Sequence, residues 1–432
     1  MNDDQPAPGA RRIATLDIIR GVAVMGILIM NIVAFAMPEA AYSNPAAYGG
    51  DTGANLAIWA FNFVFIDGKM RGLFSFLFGA SMLLVIDRAA AKGESPARVH
   101  FSRMFWLFLF GEAHFILLWW GDILNHYALV GCFAWFFRKL PAHKLVAIAI
   151  ILIAVEVLLV SGLPFNVHAT EIAAHAPHAS AKAIRDYKEF QASFGKPDPA
   201  QINTDLALYR GPYAALVAHG LHEAVRNTLQ TFVFVGLETL GYMLLGMACL
   251  KSGLLTGDWS RERYRHWIMV GAATGIPASI ALVAYIVRQD FSLMSVVIGG
   301  IVLPTVLRPL MIIAWACAII FLIRHSPPLA TRIGAAGRMA FSNYLGTSIM
   351  CTSLFYGFGF GLYGHLARIE LYPVVLGIWA LMLLWSKPWL AHFRYGPLEW
   401  LWRTLARLRF QPMRGGVLGD FRPESDRPNL CE

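Results

Sequence analysis

Apolar residues in this chain gather into runs of about 20, separated by short polar segments in which Lys and Arg recur. Ten such runs lie near 13–36, 70–88, 101–119, 122–137, 143–162, 227–250, 265–287, 294–323, 338–360 and 371–391. Twenty residues of helix rise about 30 Å, the thickness of a bilayer's hydrocarbon core, so runs of this length predict membrane-crossing helices. A further apolar stretch, ANLAIWAFNFVFI at 54–66, is too short to cross and reads as a re-entrant or interfacial helix. The predicted fold is all-α: a polytopic transmembrane helix bundle of about ten spans plus that short helix. Residues 1–12 then form an N-terminal segment, 13–162 a first transmembrane half, 163–226 a long loop, 227–405 a second half, and 406–432 a basic tail expected to be disordered. Within the loop, DYKEF and PDPAQINTDLALY read as short amphipathic helices.

The first run is not uniformly apolar. In LDIIRGVAVMGILIMN, Asp17, Arg20 and Asn31 fall within about a 60° sector of one helical face, together with Val24 and Leu28. A polar stripe running from one end of a span to the other suits a helix that lines a passage or a site. A stripe that only contacts neighbouring helices is the plainer reading.

Composition agrees with the pattern. The chain is 57% hydrophobic and 15% charged, with a mean hydropathy of +0.53, whereas soluble domains carry ~25% charged residues. The net charge of +9 and pI near 9.4 could signal nucleic-acid binding. In a membrane protein, basic cytoplasmic loops explain them, and no nucleic-acid partner is expected. With 54–66 not crossing, the clusters Arg11/Arg12, Arg88–Arg103, Arg138/Lys139/Lys144, Lys251–Arg265, Arg324–Arg338 and Arg394–Arg414 all fall on one side. That arrangement predicts a multi-pass membrane protein with both termini cytoplasmic. Arg11, Arg12 and the AFA at 34–36 imitate a signal peptide, but Asp17 and Arg20 interrupt the run, so the first span is expected to be a retained anchor. The five cysteines show neither zinc nor disulfide-framework spacing.

Ionisable groups inside spans are expensive, so each is a candidate site residue. Glu238 and Arg308 lie deep in their runs, and Glu112, His114 and Glu156 lie nearer the outer ends. Arg308 is expected to pair with Glu238 or Glu112, either to lock packing or to serve a substrate. FIDGKMRGLF supplies Asp67, Lys69 and Arg71 at the outer surface, and WWGDILNHYAL supplies Asp122, His126 and Tyr127. Asp122 and His126 are four apart and would share a helical face, the arrangement that prepares an imidazole as general base. HGLHE offers His219, His222 and Glu223 at helical spacing, but without a third ligand no metal site is expected. On the inner side, Asp17, Arg20, Arg338 and Asn343, with Arg324 and Arg332 nearby, could hold a phosphorylated ligand such as a CoA nucleotide. Positive-inside charge and lipid headgroups account for the same residues.

Five segments together form a recognisable pattern: LDIIRGVAVMGILIMN, FIDGKMRGLFSFLFGAS, WWGDILNHYALVG, GRMAFSNYLGTSIMCTSLFYGFGFGLYG and GPLEWLWR. In this order they closely resemble the YeiB family of bacterial membrane proteins, across most of 13–405. The N-terminal half is similar to a broader set of transmembrane acyltransferases, including the heparan-α-glucosaminide acetyltransferases. The resemblance implies transfer of an acyl group from cytoplasmic acyl-CoA, as co-substrate, to an envelope glycan or small acceptor on the far side. The shared pattern matches at Asp17, Arg20, Gly21 and Asn31. In the heparan-type enzymes a catalytic histidine follows that Asn in the outer loop, and residues 32–53 here contain none. His126 with Asp122, or His114, would have to replace it.

Two functions follow. As an acyltransferase, the protein would bind acyl-CoA through Arg20 and Arg338, stabilise an oxyanion with Asn31, and orient an anionic acceptor with Lys69 and Arg71. As a transporter of a small anion, it would use Glu238, Arg308 and Glu112. A third reading is a non-enzymatic membrane sensor or assembly factor. The expected partners are the lipid bilayer and, for the acyltransferase, acyl-CoA and an envelope glycan or small-molecule acceptor; a homodimer is left open.

Overall fold

The computed structural model describes residues 14–323 and 327–414, all of it helix and connecting loop with no strand among the described residues. The expectations for residues 1–12, for Arg324 and for most of the basic tail concern residues outside this range. The helices are α1 (Ala14–Ala36), α2 (Ala40–Ser43), α3 (Gly53–Phe65), α4 (Lys69–Ala91), α5 (Pro96–Leu117), α6 (Leu124–Ala134) and α7 (Ala142–Val160). Next come α8 (Leu163–Ala174), α9 (Ala181–Phe194), α10 (Pro199–Tyr209), α11 (Tyr213–Lys251), α12 (Arg261–Arg288), α13 (Leu293–Val296) and α14 (Leu303–Ile323). The last are α15 (Pro327–Arg338), α16 (Ala340–Phe355), α17 (Tyr372–His392) and α18 (Pro397–Arg407).

Seven helical stretches are long and apolar enough to cross a membrane: Ala14–Ala36, Gly53–Ala91, Ala142–Ala174, Tyr213–Lys251, Arg261–Arg288, Leu293–Leu322 and Arg368–His392. The three remaining expected spans are helical too, as α5, α6 and α16, but α5 is richer in polar residues and the other two are short. The protein is a polytopic all-α membrane protein. The expected long loop is largely helical: α9 and α10 form where amphipathic segments were read, and α11 begins at Tyr213 rather than near 227. Local signals set these boundaries. Asp198 and Gln201 close a reciprocal capping box on α10, and Ser95 and Ser260 cap α5 and α12.

At 39 residues, α11 is about 58 Å long, nearly twice the hydrocarbon thickness. Its second half is buried and packs on α4, α6 and α7, so side chains there sit at the centre of the bundle. The first helix is also central. It packs on α4, α15 and α16, and its crossing with α15 is close because both helices present glycine. A side chain at Gly337 would run into the backbone carbonyl of Asp17, and one at Gly21 into that of Ile333. The amphipathic α18 then ties the end of the described chain to its beginning. Glu399 accepts from the backbone N–H groups of Phe341 (2.8 Å) and Ser342 (3.1 Å) at the start of α16, and Ser102 on α5 donates to the carbonyl of Ala406 (2.7 Å). Burial lifts the Glu399 carboxyl above the usual carboxylate range, against the hydrogen bonds that pull it down.

Candidate functional site

The polar stripe of α1 faces α16. Val24, Leu28 and Asn31 line a narrow cavity together with Tyr344, Thr347 and Ser348, a space with room for about one water molecule. Thr347 and Ser348 bond back to carbonyls of their own helix, at Asn343 and Tyr344, which leaves their oxygens free to accept. The His114 ring lies against Tyr344, with centroids 5.3 Å apart, and Trp119, beside His114, stacks on Phe35 at 4.0 Å. Phe35 lines the same cavity as Asn31.

His114 is held by Asp122. Its Nδ1 lies 2.7 Å from Oδ1, with both side chains fully enclosed, while Oδ2 accepts from the backbone N–H of Asn125 at 3.0 Å. The other ring nitrogen, Nε2, is buried without a hydrogen-bond partner among the described residues, as are the indole N–H of Trp119 and the hydroxyl of Tyr344. A carboxylate on one imidazole nitrogen and an open second nitrogen is the arrangement of a general base. The unpartnered hydroxyl of Tyr344, which lines the cavity, calls for a polar occupant there.

The expected Asp122–His126 pair does not form. Asp122 precedes the first turn of α6, so the i, i+4 geometry that would join them is absent; His126 Nε2 instead meets the Thr239 hydroxyl at 2.9 Å, on α11. Tyr127 also turns inward. Its hydroxyl takes a hydrogen bond from Ser75 (3.0 Å) and gives one to the carbonyl of Arg71 (3.2 Å).

A second cluster surrounds Glu238. Arg71 on α4 donates to Oε2 at 2.6 Å; Arg308 on α14 and Tyr242, one turn along α11, donate to Oε1 at 3.2 and 2.6 Å. Of the two partners expected for Arg308, Glu238 is the one it takes. Glu112 is engaged elsewhere, by Asn125 (2.9 Å) and Thr228 (2.8 Å). The turn between α3 and α4 makes room for Arg308. Gly68 sits there at φ +66°, and any side chain on it would collide with the guanidinium. Lys69 is buried and gives its ammonium to the carbonyl of Phe63 at 2.5 Å. Asp67 faces a separate cavity, with Asn62, Tyr42, Trp59 and Gly300, beside the π-helical turn Val297–Val302.

The third group sits where α1 begins. Arg20 bonds Asp17 at 3.2 Å and Ser81 at 2.6 Å. Asn343 does not join it as a free ligand. It is buried, donates to the carbonyl of Ala336 (2.9 Å) and to Ser386 (3.2 Å), and accepts from Trp385 (2.9 Å), so its amide is spent joining α15, α16 and α17. Arg338 donates to the carbonyl of Arg394 at 3.4 Å. Around HGLHE, Glu223 binds His222 (2.9 Å) and Arg226, and no cluster of three metal-ligating side chains occurs among the described residues. Tyr344 and Trp119 were passed over by sequence reasoning, which had no way to bring 114, 119, 122 and 344 together. Tyr242 was legible as the i+4 neighbour of Glu238.

Comparison with known proteins decides the family. The chain is 34% identical over 402 residues to "Uncharacterized protein YeiB" of Escherichia coli (strain K12), covering 91% of this chain and 96% of that one. The chain belongs to the YeiB family. "Uncharacterized protein YxaH" of Bacillus subtilis (strain 168) is 30% identical over 428 residues, covering 96% of this chain and 98% of its own. The family described as "Protein of unknown function (DUF418)" matches residues 249–409. That YeiB-family segment holds Arg308, Tyr344 and α18, while Asn31, His114 and Asp122 come from the half before it. No solved structure matches the chain.

Proposed function

We propose that this protein is a transmembrane acyltransferase, moving an acyl group from cytoplasmic acyl-CoA to a hydroxyl on an extracytoplasmic acceptor. The observation that carries this reading is the enclosed His114–Asp122 dyad, whose ring packs on Tyr344, a residue that lines the cavity of Asn31. In the step, the acceptor hydroxyl gives its proton to His114 Nε2 as its oxygen attacks the thioester carbonyl. The carbonyl oxygen takes up negative charge, which the Asn31 amide stabilises. The C–S bond then breaks, and the CoA thiolate leaves with the proton that His114 gives up. Asp122 fixes the ring and balances the imidazolium.

The basic end of the bundle is then cytoplasmic, in the plasma membrane, with Arg20 at the mouth of the seam between α1 and α16. From Arg20 to Asn31 the helix rises about 16 Å, and the pantetheine arm of the donor follows that seam. The cavity is narrow, so acyl loading parts α1 from α16. An anion-carrier reading has less support, because Glu238 has both oxygens engaged and Glu112 stands apart from it.

The test is purified protein in detergent with acetyl-CoA, following CoA binding and release of free thiol. Slow cleavage that speeds up with a hydroxylated acceptor and disappears in His114→Gln is the expected result. Absence of CoA binding at millimolar ligand overturns the reading.

A further inference from the structure

The basic end holds a cluster of arginines drawn from helices far apart in the chain. Arg103 on α5 lies beside Arg403 and Arg407 of α18, with Arg20 of α1 within electrostatic reach. Two of the four have carboxylates: Arg407 pairs with Glu94 at 3.0 Å, and Arg20 with Asp17 at 3.2 Å. Arg103 and Arg403 have none within ion-pair distance among the described residues, Glu399 being taken up by the start of α16. Each instead lies over an aromatic ring. The Arg103 guanidinium is 3.9 Å from the Trp402 centroid and that of Arg403 is 4.8 Å from Tyr395. Trp402 is itself fixed, its indole N–H donating to the carbonyl of Arg103 at 2.9 Å. The Arg403 Nε is buried with no hydrogen-bond partner among the described residues.

Half-buried guanidinium groups that face one another repel, and desolvation makes the repulsion larger than it would be in water. Ring stacking holds their planes still, so that each guanidinium offers its donors in the preorganised fork that suits phosphate. A basic membrane-facing loop needs neither the aromatic platforms nor the enclosure.

We propose that Arg103, Arg403, Arg407 and Arg20 form a phosphate-binding site for the nucleotide end of the acyl donor, the phosphorylated adenosine of CoA. The ligand's identity rests on the acyltransferase reading; the phosphate site itself rests on the cluster. A phospholipid headgroup offers the same chemistry, and the experiment separates the two.

The probe is adenosine 3′,5′-bisphosphate, which carries the phosphates without a thioester, titrated against the full chain in nanodiscs of phosphatidylcholine alone and with phosphatidylglycerol. Wild type should bind in both, more weakly as salt rises, and Arg103→Gln and Arg403→Gln should each weaken binding about tenfold or more. Lysine at either position should restore part of it. Phenylglyoxal labelling of the unmutated protein guards against variants that fail to fold: the nucleotide should protect Arg103 and Arg403 from modification. Unchanged affinity in both Gln variants, no protection, or binding abolished by phosphatidylglycerol overturns the proposal, the last in favour of a lipid site. Nucleotide binding without thioester cleavage keeps the site and removes the enzyme. Cleavage with unaltered KM for acetyl-CoA in both variants does the reverse.

Discussion

His114 and Asp122 meet at 2.7 Å because the chain turns back between α5 and α6, placing the carboxylate beside a ring eight residues earlier. If that contact prepares a base, His114→Gln and Asp122→Asn should lower thioester turnover by about 10²–10⁴ while leaving the elution profile of the purified protein unchanged. His126→Gln, which removes a ring hydrogen-bonded to Thr239 and apart from Asp122, should keep turnover near wild type. Equal losses in all three would point to packing rather than proton transfer.

Glu238 should behave as a lock. Removing it strands two guanidinium groups in the bundle centre, so Glu238→Ala should destabilise by about 3–5 kcal/mol, read as a fall in thermal midpoint in detergent. Replacing Glu238 and Arg308 together with Met should recover part of that loss. A Glu238→Gln variant with wild-type stability that nonetheless abolishes uptake in proteoliposomes would reinstate the transport reading.

Asn343 separates structural from ligand-binding roles at the basic end. Asn343→Ala removes the acceptor of the Trp385 indole N–H, at about 1–3 kcal/mol for that group, while the carbonyl of Ala336 keeps the backbone N–H of Met339. Stability should drop, yet nucleotide affinity per folded molecule, measured after removing aggregate, should not change.

The α1–α15 crossing tolerates nothing larger than hydrogen at Gly337, where a methyl group meets the Asp17 carbonyl. Gly337→Ala should therefore reduce the yield of monodisperse protein severalfold. Gly346→Ala, at a position where a methyl group meets no atom within 4 Å, is the matched control and should match wild type.

Much of the bundle was legible because span length and charge are properties of contiguous sequence. The runs at 13–36, 143–162 and 265–287 became α1, α7 and α12 within a few residues. The site was less legible. Asp122 and His126 looked paired because helical spacing was assumed through residues that form a loop and the entry to α6, whereas the true partner of Asp122 lay on the preceding helix. Arg308 and Glu238 were linked correctly because burying a lone charge in apolar surroundings is costly, and that argument holds at any sequence separation. Nothing of the kind marks Arg103 and Arg403, which look like ordinary loop-flanking charges until α18 folds back on α5.

The crossing at Gly337 also sets a schedule for making the protein. Arg20 and Gly337 are 317 residues apart, and a ribosome adding about 5–20 residues per second needs roughly 15–60 s to cover that distance. For that interval α4 can already pack on the first helix and bind Arg20 through Ser81, but the glycine groove that takes α15 stays empty. A cell making this protein must therefore protect that groove until a late helix arrives, and depletion of membrane insertase or chaperone should cut its yield more sharply than that of bundles whose first helix completes its packing early.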